Sequence, residues 1–228
     1  MSDNQLNQVG ADSFSKLKSN QRISGNQTMT ARVQCVSKHI LRAMGEHPSA
    51  WEVVVFDGKE VNAFATPGNK IGVYTGMLAF VDNDDQLAAV IGHEVGHVIA
   101  RHSNERASMS MVSDIGLQVA GSVAGQYGVD PNIVGSLGGM GLQYGVMLPF
   151  SRTQETEADI IGIDLMAKAG FRPEESVRLW QKMAASGQSR PPELLSTHPS
   201  PGSRIQDLRN RLPKAQAIYQ RSQKTQCY

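Results

Sequence analysis

Residues 88 to 102, AAVIGHEVGHVIARH, place three histidines and one glutamate inside an otherwise apolar run. Such groups are costly in a core unless something satisfies them, and a shared metal ion would satisfy this set together. On a helix of about 3.6 residues per turn, His93 and His97 are four residues apart and face the same way, about 40° from one another, so both rings reach one ion. Glu94 is rotated about 100° from His93, beside the ion rather than under it, which suits a base taking a proton from metal-activated water. Hydrogen-bonded histidines in a plain core helix are the alternative.

Two imidazoles do not complete a zinc site, which for catalysis needs three protein ligands and an open position. If the helix continues, His102 lies nine residues and about 180° from His93, outside the site. The longer pattern H-E-x-x-H-x-x-G-x-x-H is absent, because Ala100 and Ser103 stand at its glycine and last histidine, and this excludes a metzincin. The acidic run ETEAD offers a better third ligand. Glu155 and Asp159 are four apart on one helical face, in an inward row with Gly162 and Met166, while Glu157, Asp164 and Lys168 fall on a polar, solvated side. Glu155 is then the expected third ligand and Asp159 the acceptor that orients a ligating imidazole. Taken alone, ETEAD reads rather as a solvated acidic face, and it is the coupling to HEVGH that favours the ligand reading.

The surrounding elements must bring these two helices together. Apolar residues at helical spacing (Val33, Val36, Ile40, Leu41, Met44) predict a helix that ends near Gly45. The β-branched runs WEVVVFD and KIGVYTG flank VNAFATPGN, whose Pro67-Gly68-Asn69 reads as a turn, so a small, partly antiparallel sheet is expected. Asp82, Asp84 and Asp85 open the helix that carries HEVGH. Residues 105 to 150 are glycine-rich and nearly uncharged and read as a helical hairpin. SRTQETEADIIGIDLMAKAG predicts a helix stopped at Gly170, RPEESVRLWQKMAAS a second one, and two short terminal helices follow a Pro/Ser-rich loop.

The 228 residues suit one domain, 1–228, and a net charge of +1 gives no electrostatic reason to expect nucleic acid. Cys35 and Cys227 are too few for a cysteine-based zinc site; they either pair, as in an oxidising compartment, or remain free thiols. The first residues, MSDNQLNQVGADSF, lack the apolar core of a secretory signal, so the chain is expected to be cytosolic or to begin after such a signal.

HEVGH, followed at a long interval by SRTQETEAD, preceded by NAFATPGNKIGVYTG and followed by STHPSPGSR, closely resembles the gluzincin family of CAAX prenyl endopeptidases and HtpX-type proteases. More narrowly it is similar to a soluble, bacterial cell-envelope branch related to the mitochondrial inner-membrane stress metallopeptidase. The resemblance runs from about Arg32 to Arg211. It implies an α+β, mainly helical, zincin-like domain with a small mixed sheet beside the active-site helix. It implies one Zn2+ per chain held by His93, His97 and Glu155, with Glu94 as catalytic base and protein or peptide substrates of envelope quality control. Location would be periplasmic, through a lipid anchor that this sequence does not include.

In the related fold, Val61 to Thr66 would form an edge strand that substrate joins, engaging Asn62, Ala63 and Phe64; ordinary sheet packing accounts for Phe64 equally well. His198 would stabilise an oxyanion or gate the open coordination position, and Arg204 would form a salt bridge or touch substrate. The glycine-rich hairpin would contact a membrane surface or an oligomer partner rather than span a bilayer. A zinc-binding holdase or latent regulatory protein is the alternative, against which the intact Glu94 argues. Peptide deformylase shares H-E-x-x-H, but its third ligand is a cysteine, and Cys35 sits in the wrong helical context.

Overall fold

The sheet follows from the alternation of its strands. In β1 (Glu52–Phe56), Val53 and Val55 turn to the main core, whereas Val54 and Phe56 turn to the opposite face. β2 (Ala63–Thr66) and β3 (Lys70–Tyr74) are joined through the Pro67–Asn69 turn, where Gly68 and Asn69 both take positive φ, and they pair antiparallel. β1 pairs parallel to β3, so the order is β1-β3-β2 and β2 lies at an edge. This is the small mixed sheet expected from the sequence. The computed structural model describes residues 2–106, 150–186, 192–199 and 202–227. The glycine-rich hairpin expected at 105–150 falls almost wholly outside the described residues, and among these no helix is long and apolar enough to cross a membrane.

Helices supply the rest: α1 (Asp3–Asn20), α2 (Gln27–Met44), α3 (Thr75–Phe80), α4 (Asp84–Ile99), α5 (Arg152–Lys168), α6 (Glu174–Ser186), the single turn α7 (Leu194–Thr197) and α8 (Gly202–Arg221). Their ends obey the local chemistry. Asn83 caps α4 through the Gln86 amide, Ser151 and Gln154 form a capping box on α5, and Gly45 and Gly170 close α2 and α5 in the left-handed region. The sequence reading missed α1, whose composition is polar. Its signal is the Ser2–Gln5 capping box, and it is held by Phe14, which packs on Phe56 and Phe64 across the outer face of the sheet. Two short terminal helices were also expected; instead a single turn precedes a twenty-residue helix that runs through Pro213.

α4 is the central element, buried along nearly its whole length between α2, α5, α6 and β2. Its tightest neighbour is α5. A Cβ on Gly92 would stand 2.9 Å from the Gly162 carbonyl oxygen, one on Gly96 2.8 Å from that of Ala158, and one on Gly162 2.8 Å from the His93 nitrogen. The two backbones are therefore in contact across these glycines. Cys35 on α2 is joined to Cys227, with Cα atoms 5.9 Å apart, as one of the two cysteine readings anticipated.

Helix propensity alone would make Gly162→Ala stabilising by about 1 kcal/mol. The overlap with His93 reverses the sign, and a net loss of about 1–3 kcal/mol is expected in denaturant titrations. A gain in stability would show that the helices do not touch there.

Candidate active site

α4 presents His93, Glu94 and His97 at one point, and α5 meets them with Glu155 and Asp159; all five are 1–4% exposed. His93 and His97 bring their Nε2 atoms to 3.1 Å. Glu155 lies 3.5 Å from the first and 3.4 Å from the second. His198, at the end of α7, sets its Nδ1 3.2 Å from His93 Nε2 and 2.9 Å from Glu155 Oε1. Ligands about 2.1 Å from a tetrahedral ion stand about 3.4 Å apart, so these separations are those of a coordination polyhedron. His93, His97, Glu155 and His198 form a buried set able to hold one metal ion.

The tautomers agree with that assignment. Asp159 accepts from His93 Nδ1 at 2.9 Å, which leaves Nε2 as a lone pair. His97 Nδ1 stands 2.9 Å from His102 Nδ1, and when His97 donates there its Nε2 too is a lone pair. The two facing Nε2 atoms, 3.1 Å apart, need a proton or a metal ion between them, because two bare lone pairs there would repel. Glu94 Oε1 is buried without a hydrogen-bond partner. An acceptor left in this way fits the water that a metal ion held by the neighbouring residues would carry.

Charge inside the site is arranged for a cation. Burial works against a charged His93, yet Asp159 and Glu155 outweigh it and raise the imidazole to about 9. Burial, helped by His93 and His198, lowers His97 to about 3 against the pull of Glu155. The Glu155 carboxyl sits well below the usual range, because its contacts with His198, His93 and His97 overcome its burial. Burial raises the Glu94 carboxyl, against the pull of His198 and His93. Without a metal, one imidazole must carry the positive charge that the carboxylates demand.

Arg204 is the counter-ion to this acidity. Its Nε and Nη2 each donate to Asp159 at 2.7 Å, Nη1 lies 2.6 Å from Glu155, and the guanidinium covers the Trp180 ring at 3.8 Å. It is 0% exposed, and of its two expected roles the salt bridge is the one formed in this structure. His102 is a clear departure. It was placed outside the site by continuing the helix, but α4 stops at Ile99 and Arg101 takes φ 59°, so the chain turns back and the 1%-exposed imidazole lands on His97. Its Nε2 reaches Glu157 at 3.3 Å, so Glu157, otherwise solvated as expected, has one inward contact. The ligand set is unchanged; the support behind it is larger than the sequence indicated.

His198 is drawn in on both sides: besides Glu155 and His93 at its Nδ1, its Nε2 is 3.5 Å from Glu94 Oε1. Phe150 stacks on it at 5.1 Å and lies 4.0 Å from the His97 ring. Phe64 packs with Phe14, Phe56 and Tyr74, so its side chain serves the sheet, while Asn62 bonds Tyr74 through its carbonyl and Ala63 is buried on β2.

Comparison with known proteins places this arrangement. The chain is 38% identical over 202 residues to the mitochondrial metalloendopeptidase OMA1 of Schizosaccharomyces pombe, which covers 87% of this chain and 57% of that one. It is 33% identical over 211 residues to OMA1 of Saccharomyces cerevisiae, covering 85% and 59%. To the β-barrel assembly-enhancing protease of Escherichia coli K12 it is 28% identical over 216 residues, covering 90% and 43%. The chain thus spans roughly half the length of these relatives. The model of peptidase family M48 matches residues 27–212, from the start of α2 into α8 and across every residue of the metal cluster. The chain belongs to peptidase family M48, and the matched residues include the whole of its buried set able to hold one metal ion, His93, His97, Glu155 and His198.

Proposed function

We propose that this chain is an endopeptidase unit acting on misfolded or damaged proteins of the cell envelope, with a site that is closed at rest. The observation that carries the enzymatic reading is Glu94, a buried carboxylate with an unpartnered oxygen beside a complete donor set. A site built only to hold metal has no use for it. His93, His97 and Glu155 would hold the zinc ion, whose Lewis acidity brings a coordinated water toward a pKa of about 7 and polarises a peptide carbonyl. Glu94 accepts the proton of the attacking water and returns it to the leaving amine. Asp159 fixes the His93 tautomer, and Arg204 holds both carboxylates of α5 in place.

Substrate would lie along β2. Asn62 and its alternate neighbours turn their backbone groups to β3, so Ala63 and Ala65 turn theirs outward, toward α4. An extended peptide can add there by main-chain hydrogen bonds with little demand on sequence. Envelope location is supported by the disulfide, which suits an oxidising compartment, and by the likeness to the E. coli protease. His198 is best read as the gate: its Nδ1 occupies the fourth position of the donor set. The same closure supports the second reading, a zinc-binding protein with little proteolysis.

Glu94→Gln should keep its zinc and lose casein cleavage by about 10²–10⁴-fold; retained zinc with unchanged cleavage would overturn the mechanism. Removing the gate with His198→Ala should raise cleavage by the resting enzyme, whereas a fall would assign His198 to the oxyanion. His102→Ala should weaken zinc about 10–100-fold in a chelator competition, since the ligand His97 loses the group that fixes its tautomer.

A further inference from the structure

Cys35 and His39 are four residues apart on α2, the spacing that turns His93 and His97 onto one face of α4. Cys227 reaches them from the segment after α8, and one donor atom of each of the three residues lies within 4.8 Å of the others. This cluster shares no residue with the site on α4 and α5. At present its two sulfurs are bonded to each other and are not available as thiolates.

The imidazole, by contrast, has its tautomer set by a neighbour. Thr225 Oγ1 gives its one proton to the Ala169 carbonyl at 2.7 Å, so toward His39 Nδ1, 3.4 Å away, it can only accept. Nδ1 of His39 therefore carries the hydrogen and Nε2 the lone pair. Burial, together with Arg42 and Lys38, lowers the pKa of this ring. Thr225 plays the part that Asp159 plays for His93, an oxygen behind the ring that selects its tautomer. Phe171 meets the His39 ring edge-on at 6.2 Å and fixes its plane.

We propose that reduction of the Cys35–Cys227 disulfide turns this corner into a second zinc site, made of two thiolates and the Nε2 of His39. The reductant is a dithiol. Its thiolate attacks one sulfur of the disulfide, the S–S bond breaks, and the mixed disulfide is resolved as the reductant closes its own ring. The dithiol loses two electrons and two protons; Cys35 and Cys227 gain them as thiols. Zinc then displaces both thiol protons to solvent. Thiolates bound to tetrahedral zinc stand about 3.8 Å apart, so the sulfurs must separate. Cys227 can move because residues 223–227 belong to no helix or strand. The mixed sulfur and nitrogen donors select zinc or cobalt over calcium or magnesium.

The test compares metal stoichiometry of the oxidised chain and of the chain reduced by a dithiol that is then removed without air. Oxidised protein should bind one Zn2+ and reduced protein two. With Co2+, only the reduced form should show a thiolate-to-cobalt charge-transfer band. In reduced His39→Ala the second ion should bind at least 10-fold more weakly with both thiols still titratable, and in Cys35→Ser the band should vanish. Retention of the first zinc reports that each variant is folded. One Zn2+ in the reduced wild type, loss of both ions on reduction, or a second ion that His39→Ala does not weaken would each overturn the proposal.

Discussion

The site depends on how closely two helices approach. A metal ligand held on one helix can meet a carboxylate on another only if their axes come within side-chain reach, and larger residues at the crossing would hold the axes apart. Gly92, Gly96 and Gly162 let the α4 and α5 backbones touch, with the His93 amide against Gly162. The ligands alternate with these contacts: His93 follows Gly92 and His97 follows Gly96. The backbone contact that sets the separation is thereby one residue from each imidazole. α2, α6 and the sheet surround the pair and bury it, which removes the water that would otherwise satisfy these groups.

Burial on that scale makes charge balance a structural matter. Glu94, Glu155 and Asp159 are within the same interior, and an unpaired carboxylate there would either protonate or force the helices apart. Two cations answer them. Arg204, supplied by α8 and braced on Trp180, neutralises from behind, while the metal position neutralises from in front. A guanidinium suits the rear position because its planar fork meets Asp159 in two parallel hydrogen bonds and cannot lose its charge. The C-terminal helix is in this sense part of the metal site, although it contributes no metal ligand among the described residues.

What could be read from the sequence was whatever helix periodicity alone decides. The shared face of His93 and His97, the offset of Glu94 and the inward row of Glu155, Asp159, Gly162 and Met166 depend only on rotation per residue, and each is placed as expected. Periodicity fails where a helix ends. His102 was misplaced because nothing before it announces the left-handed turn at Arg101, a residue seldom found there. Arg204 was undecided between salt bridge and substrate because burial comes from the packing of a distant helix, not from its neighbours in the chain. His39 gave no signal, since Thr225, which sets its tautomer, lies 186 residues away and Cys227 further still, and Cys35 alone at i−4 does not make a site.

The proposed gate and the proposed substrate edge would be mechanically one feature. The Leu194 amide, at the start of α7, donates to the Val61 carbonyl at the head of the outward edge of β2, and the Phe150 amide bonds the Thr197 carbonyl at its end. His198 follows directly. Lifting α7 to withdraw the imidazole from the donor set therefore also breaks the bond at Val61 and exposes that edge of the strand. Neither can occur alone without bending a single helical turn that is pinned at both ends. A peptide strand pairing with β2 competes for the same backbone acceptor that holds the gate shut. On the proposed reading, extended chain is then both substrate and opener, and folded proteins, whose strands are already paired, offer nothing to displace the gate.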